Sequence, residues 1–177
     1  MSKSIDTSDA WSALRRHTPA RIGLARTGAS LATVDHLAFQ RAHARARDAV
    51  HARLDPAPLL AGLDARGLEP LSLRSAAADR RTYLLRPDLG RRLDAPSRDR
   101  LDGAPRGHDL VLVLADGLSP GAVQKHALPF VDAALPELRR RGWRIGPATV
   151  VEQGRVAIGD EIGATLAADL VAMLIGE

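Results

Sequence analysis

The sequence predicts an α/β fold: a parallel sheet with helices, preceded by a helical N-terminal region. Three apolar runs predict the strands, at residues 109–115, 145–151 and 170–175. After its first residue, the first run is apolar throughout, which is typical of a strand buried on both faces of a sheet. Helix-like segments separate the runs, and strands that alternate with helices form right-handed parallel crossovers.

The segment after the first strand predicts a turn and a long helix. Gly117 would form the turn, Ser119 would cap the helix, and Pro120 would be its first residue, where no amide donor is needed. Pro129 lies inside this helix, so we expect a break or a kink there. Gly142 follows three arginines and is expected to end the helix.

The pieces that follow the second and third strands form the expected ligand site, because open parallel sheets bind ligands at the carboxyl ends of their strands. Gly154-Arg155-Val156 follows the second strand, and Gly176-Glu177 follows the third. Between them a helix is predicted over residues 158–168, with an apolar face made by Ile158, Ile162 and Leu166.

The N-terminal region is predicted to be mainly helical. Its longest helix is expected over residues 33–54, with shorter helices over 11–17 and 76–83. Arg86-Pro87-Asp88 predicts a salt-bridged turn, with an anion or subunit contact as the alternative. Residues 56–70 are predicted to form a loop with one helical turn, and residues 71–75 a short strand. A polar linker is predicted over residues 97–107.

The charge distribution divides the chain into two regions. Residues 1–106 contain 19 basic and 12 acidic side chains, whereas residues 107–177 contain 6 and 9. An Arg-rich surface suits nucleic acid or a subunit interface. Aromatic residues make up only 3% of the chain, which disfavours base stacking. We therefore expect an Arg-rich region of subunit contacts over 1–106 and an α/β domain over 107–177.

The composition excludes several classes of protein. Cysteine is absent, which excludes disulfides and thiolate chemistry and favours the cytoplasm as the location. No apolar run approaches the length of about 18 residues that a membrane-spanning helix needs. Hydrophobic residues make up 45% of the chain, enough for an aliphatic core.

The chain contains one motif of serine hydrolases without their other parts. Gly117-Leu118-Ser119-Pro120-Gly121 matches Gly-x-Ser-x-Gly, but only His126 follows it, in the same predicted helix. Ser119 is better explained as a helix cap. His36 and His43 would lie about 10.5 Å apart along a helix, too far to share a metal ion. With no dinucleotide or P-loop motif either, the residues predict a binding subunit without catalytic or metal-ligating side chains.

Two blocks of the sequence resemble one protein family. They are Arg86-Pro87-Asp88-Leu89-Gly90-Arg91-Arg92-Leu93 and Gly154-Arg155-Val156-Ala157-Ile158-Gly159-Asp160-Glu161-Ile162-Gly163. Both are similar to blocks of the small (light) subunit of ethanolamine ammonia-lyase. The segment from Trp11 to Ile22 and the final Leu174-Ile175-Gly176-Glu177 are similar to it as well. The resemblance covers about residues 11–177.

The resemblance implies a function for the chain. Enzymes of this family use adenosylcobalamin to convert ethanolamine to acetaldehyde and ammonia, and their large subunit carries the substrate and the catalytic side chains. The small subunit has a Rossmann-like sheet that contacts cobalamin at the subunit interface. The residues that contact cobalamin in the family match Val156 and Glu177 here. The implied partner is the large subunit in a hetero-oligomer, with no nucleic acid and no membrane.

The chain departs from the family in two places. Thr149-Val150-Val151-Glu152-Gln153 stands where the family usually has an aromatic and basic segment, and the family continues past Glu177, so a missing C-terminal segment is expected. One alternative is therefore a non-catalytic, truncated remnant that only binds the large subunit. Another is a stand-alone nucleotide-binding or nucleic-acid-binding α/β domain. The expected location is the cytoplasm or, following the family, a bacterial microcompartment.

Overall fold

The computed structural model describes residues 7–24 and 26–177. The chain separates into two compact units, one up to Arg47 and one from Asp48 onwards, whereas the sequence predicted a division between residues 106 and 107. The sheet of the second unit takes one of its strands from before residue 106. The predicted roles of the two regions, subunit contacts and cobalamin contacts, remain predictions.

The first unit has little core of its own. It contains α1 (Thr7–Arg15), an antiparallel hairpin of β1 (Arg26–Thr27) and β2 (Ser30–Leu31), and most of α2 (Thr33–His51). None of the side chains described in this unit is buried. Over the described residues of the whole chain, no helix is both long enough and apolar enough to cross a membrane.

The second unit is built on a four-stranded parallel sheet, which confirms the predicted α/β fold. The strand order is β3-β5-β4-β6, and every neighbouring pair is parallel. β4 is buried along its whole length, as its apolar run predicts, whereas β6 lies at an edge and is only partly buried. The four strands are β3 (Leu71–Arg74), β4 (Leu110–Ala115), β5 (Thr149–Glu152) and β6 (Leu170–Ile175).

Helices cover both faces of this sheet. The helices are α3 (Pro56–Asp64), α4 (Arg80–Leu85), α5 (Ala95–Asp102), α6 (Pro120–Arg140) and α7 (Ile158–Thr165). Side chains of α3 and α6 pack on one face, and side chains of α5 and α7 pack on the other. The predicted apolar face of α7 is confirmed, since Ile158, Ile162 and Leu166 are fully buried. The more specific prediction of a Rossmann-like sheet remains a prediction.

Two helices replace segments that the sequence predicted as loop and linker. α3 lies in the predicted loop over 56–70, and α5 begins just before the predicted linker over 97–107. Each begins with a proline in its first turn and an aspartate cap: Asp55 accepts from the amide of Ala57, and Asp94 from that of Ser97. The prediction was wrong because proline is compatible with the first turn of a helix, where the backbone amide would have no hydrogen-bond partner within the helix.

α6 has no break at Pro129, where the sequence predicted a break or a kink. It continues through Pro129 and Pro136 as one helix of 21 residues, longer than the 19-residue α2 that was expected to be the longest. Both prolines are exposed, so the carbonyl groups that they leave without an amide donor can bond water. The predicted end is confirmed: Gly142 has φ +75°, and the amide of Trp143 bonds the carbonyl of Leu138.

The turn at Arg86-Pro87-Asp88 is salt-bridged, as the sequence predicted. The Arg86 guanidinium bonds both carboxylate oxygens of Asp88, at 2.9 and 2.8 Å. The pKa of Asp88 is lowered, chiefly by this hydrogen bond. Both side chains are substantially exposed, so the pair shapes the turn and contributes little to overall stability.

The contact between α7 and β6 can be tested at a glycine. A Cβ at Gly163 would lie 2.4 Å from Cγ2 of Val171, and a branched side chain in a strand has little freedom to move. Gly163→Ala is therefore expected to destabilise the protein by about 1–3 kcal/mol. Gly121→Ala in α6 is the matched control, because no atom beyond its chain neighbours and its own helix backbone lies within 4 Å of its Cβ, and alanine gains up to about 1 kcal/mol of helix propensity. Chemical denaturation measures both, and equal stabilities would contradict this packing.

Candidate functional site

The connections that follow the neighbouring strands β4 and β5 run to opposite faces of the sheet. The chain leaves β4 into α6 on one face of the sheet, and it leaves the neighbouring β5 into α7 on the other face. A crevice opens where adjacent strands send their connections to opposite faces, and α/β proteins bind ligands there. The segments that the sequence predicted as a ligand site lie at this end of the sheet.

A buried carboxylate connects the ends of β4 and β5. Asp116 follows β4 directly and is 1% exposed. Its two oxygens accept hydrogen bonds from the backbone amides of Gln153 and Gly154, both at 3.0 Å, and Arg80 lies 3.5 Å away. Burial raises the pKa of the Asp116 carboxyl, while the amide bonds and Arg80 oppose that shift.

Tyr83 supports the loop that follows β5, residues 153–155. It is almost fully buried, and the guanidinium carbons of Arg80 and Arg155 each lie 4.6 Å from its ring centroid, a favourable cation–π distance. Arg155 also donates to the Tyr83 carbonyl at 3.0 Å, and its own amide bonds the carbonyl of Gly90 at 2.8 Å. Burial raises the pKa of the Tyr83 phenol. The residue before Val156 is therefore anchored by both its backbone and its side chain.

The turn after β4 also fixes the end of β6. The amides of Leu118 and Ser119 donate to the Gly176 carbonyl at 2.7 and 3.1 Å. A Cβ at Gly176 would lie 2.0 Å from the Ser119 carbonyl oxygen, and one at Gly117 would lie 2.2 Å from the Gly176 carbonyl oxygen. Gly117 has φ +53°, a conformation that favours glycine. Both glycines are thus required by a close approach of two backbones.

The structure brings the two predicted site residues into one cavity. Val156 and Glu177 line the same opening, of about 480 Å³, at the carboxyl edge of the sheet. Val156 is 58% exposed and Leu118 is 42% exposed, so the cavity offers apolar surface beside charged side chains. Its other lining residues are Tyr83, Arg91, Arg155, Ala157 and Asp160.

Another cavity, of about 350 Å³, lies between α6 and β6. His126 is its only polar lining side chain among the described residues, and the rest are apolar, such as Phe130 and Met173. The cavity that contains Val156 and Glu177 is lined by apolar and charged side chains together. It lies at the carboxyl ends of the strands, where α/β proteins bind ligands, and we take it as the candidate site.

One predicted role within the site is wrong. Ser119 is the N-cap residue of α6, as predicted, but its side chain makes no capping hydrogen bond. A capping side chain accepts from the second or third amide of the helix, and here the amide of Ala122 donates instead to the backbone carbonyl of Ser119 at 3.0 Å. Elsewhere, His36 bonds Gln40 at 3.0 Å, and within the described residues no group of three or more His, Asp or Glu could ligate a metal ion.

Comparison with known proteins identifies the family. The model of the ethanolamine ammonia-lyase light chain (EutC) family matches residues 8–177. The chain belongs to the ethanolamine ammonia-lyase light-chain family. The matched region includes every element of the second unit and the whole candidate site.

Relatives in this light-chain family are longer than this chain. The "Ethanolamine ammonia-lyase small subunit" of Azotobacter vinelandii is 56% identical over 99% of this chain and 66% of its own length. The protein of the same name from Ralstonia nicotianae is 54% identical, over 97% of this chain and 65% of its own length. The chain therefore spans just under two thirds of these relatives.

Sequence reasoning missed most of the candidate site. It singled out Val156 and Glu177 but not Asp116, Tyr83 or Leu118. One pattern could have indicated Asp116: a carboxylate placed directly after a fully buried strand is itself expected to be buried, and it then needs hydrogen-bond donors.

The backbone contact below Glu177 can be tested at Gly176. Gly176→Ala would force the Ser119 carbonyl away, so the amides of Leu118 and Ser119 are expected to lose their acceptor and their protection from hydrogen exchange. Gly103→Ala is the control, because the nearest atom to its Cβ lies at 3.8 Å. Exchange of the two amides, measured by NMR, decides the matter. Unchanged protection in Gly176→Ala would contradict the contact.

Proposed function

We propose that this chain is the small subunit of an adenosylcobalamin-dependent ethanolamine ammonia-lyase and that Val156 and Glu177 contact the cofactor. The observation that supports this most is the shared cavity: two residues 21 positions apart in the sequence line one opening at the carboxyl edge of the sheet. The names of the relatives agree, since both are called ethanolamine ammonia-lyase small subunits.

The residues present fit the cofactor. Cobalamin combines apolar ring edges with many amide groups, and the cavity offers exposed apolar side chains, Val156 and Leu118, next to the carboxylate of Glu177. A carboxylate accepts hydrogen bonds from amide N–H groups. A cavity of about 480 Å³ takes only part of so large a molecule, so the large subunit would contact the remainder.

The work proposed for this chain is binding and orientation. When bound, adenosylcobalamin supplies the radical chemistry that turns ethanolamine into acetaldehyde and ammonia. Val156 and Leu118 would exclude water from one edge of the cofactor, and Glu177 would fix its rotation by accepting hydrogen bonds. We assign no catalytic residue to this chain, and the large subunit would bind the substrate.

The first unit supports an assembly with that large subunit. α2 has no buried side chain, yet Val34, Leu37 and Phe39 are each more than half exposed. Val34, Leu37, Ala38 and Arg41 line a shallow hollow of about 280 Å³ on one side of the helix. Most of the stability of a helix in a protein comes from packing of its apolar face, so a partner that covers this face would stabilise α2. The location, cytoplasm or microcompartment, stays a prediction.

The cofactor contacts can be tested in the assembled enzyme. The chain is co-expressed with its large subunit, and acetaldehyde formation and the dissociation constant of adenosylcobalamin are measured. Val156→Ala is expected to weaken cofactor binding about three- to tenfold through lost apolar contact. Glu177→Gln is expected to weaken it about tenfold or more, through a lost charged acceptor. Leu170→Ala and Glu152→Gln are matched controls outside the cavity and should bind normally.

The outcomes separate the alternatives. A complex that co-purifies but forms no acetaldehyde would support the non-catalytic remnant instead. DNA retention that falls steeply with salt, with no binding of the large subunit, would support a nucleic-acid-binding domain. Normal cofactor affinity in both Val156→Ala and Glu177→Gln would contradict the proposed contacts.

The proposed partner surface has its own test. Leu37→Glu places a charge on the apolar face of α2 and is expected to reduce co-purification with the large subunit at least tenfold. Ala46→Glu introduces the same charge at an exposed position outside the hollow and is the control. Equal recovery of the large subunit with both variants would show that the hollow is not the contact.

A further inference from the structure

Asp116 has no place among the proposed cofactor contacts, although it lies at the centre of the site. Its carboxylate is 1% exposed and does not line the cavity. It nevertheless bonds two consecutive backbone amides of the loop that leads to Val156. Burying a carboxylate is costly unless donors compensate it, so this arrangement calls for an explanation.

We propose that Asp116 is a positioning residue for cobalamin: by bonding the Gln153 and Gly154 amides it fixes the loop that presents Val156 to the cofactor. The proposal rests on the proposed function, because it assumes that Val156 contacts cobalamin. It adds a residue that acts through the backbone and never touches the ligand.

The loop needs such support because its backbone is strained. Gln153 has φ +56°, a conformation that residues with a side chain seldom adopt. At Gly154, a Cβ would lie 3.1 Å from both the Ala115 Cβ and the Val151 Cγ1, so the loop also approaches the sheet closely. Strained backbone persists where surrounding bonds determine it. The carboxylate of Asp116 supplies those bonds at the strained Gln153 and at Gly154 beside it.

Arg80 completes the arrangement. Its guanidinium lies 3.5 Å from the Asp116 carboxylate, bonds the Gln153 side chain at 3.3 Å and donates to the Val50 carbonyl. It also lies over the Tyr83 ring. The cation offsets the buried charge of Asp116 and keeps the Gln153 side chain on the protein side of the loop, so the loop is fixed before any ligand arrives.

A structural role alone would have a different consequence. Asp109 provides the comparison, because it lies at the opposite end of β4 and also bonds a backbone amide and a guanidinium, both from Arg144. Loss of Asp109 should lower stability without altering the cavity. Loss of Asp116 should alter the presentation of Val156 as well, and it should therefore change the affinity for the cofactor.

The experiment compares Asp116→Asn with Asp109→Asn in the complex with the large subunit. Asparagine keeps the shape but turns one acceptor into a donor that faces a backbone amide. Asp116→Asn is expected to raise the dissociation constant and the KM for adenosylcobalamin at least tenfold, with kcat at saturating cofactor within about threefold of wild type. Asp109→Asn is expected to change affinity less than twofold. Normal affinity in Asp116→Asn would overturn the proposal.

A measurement on the wild-type complex keeps the proposal testable if Asp116→Asn does not fold. Without cofactor, the amides of Gln153 and Gly154 are expected to exchange slowly already, and adenosylcobalamin should slow them less than twofold further. Fast exchange that becomes slow only with cofactor would show that the ligand orders the loop, which overturns the proposal. If the wild type binds cobalamin and Val156→Ala weakens that binding, the proposed function stands. Normal affinity in Asp116→Asn would then contradict only the positioning role of Asp116.

Discussion

The site depends on the turn after β4, which is hydrogen-bonded to the segment after β5 and to the end of β6. The Asp116 carboxylate accepts hydrogen bonds from the amides of Gln153 and Gly154, which follow β5. The amides of Leu118 and Ser119 bond Gly176 at the end of β6. Four consecutive residues thus fix the positions of two loops that are distant in the sequence. This turn therefore holds both of the segments that carry Val156 and Glu177, which line one cavity.

The arrangement suits the proposed role of this chain, which is to recognise a large cofactor without performing chemistry on it. The loops are short, they follow buried strands directly, and Tyr83 and the two arginines beside it brace one of them. Binding then orders few side chains, and affinity is gained by preorganisation rather than by area. The exposed Val156 and Leu118 are left as the apolar surface of an otherwise well-bonded edge.

Apolar patterns predicted the sheet but not the helices that carry proline. β4 and the buried face of α7 could be read from the sequence because burial imposes their spacing. α3 and α5 were missed, since a proline in a first turn resembles a loop. Val156 and Glu177 followed from strand ends and a family resemblance. The contacts of Arg80 and Tyr83 with the loop at 153–155 join residues some 70 positions apart, and no local pattern encodes them.

The proposed function is tested most directly by an electron cryo-microscopy structure of this chain with its large subunit and adenosylcobalamin. We predict cobalamin at the subunit interface, with Val156 and Glu177 in contact with its ring edge and amide groups and with Asp116 still bonded to the two loop amides. Cobalamin bound by the large subunit alone, with the cavity facing solvent, would contradict it.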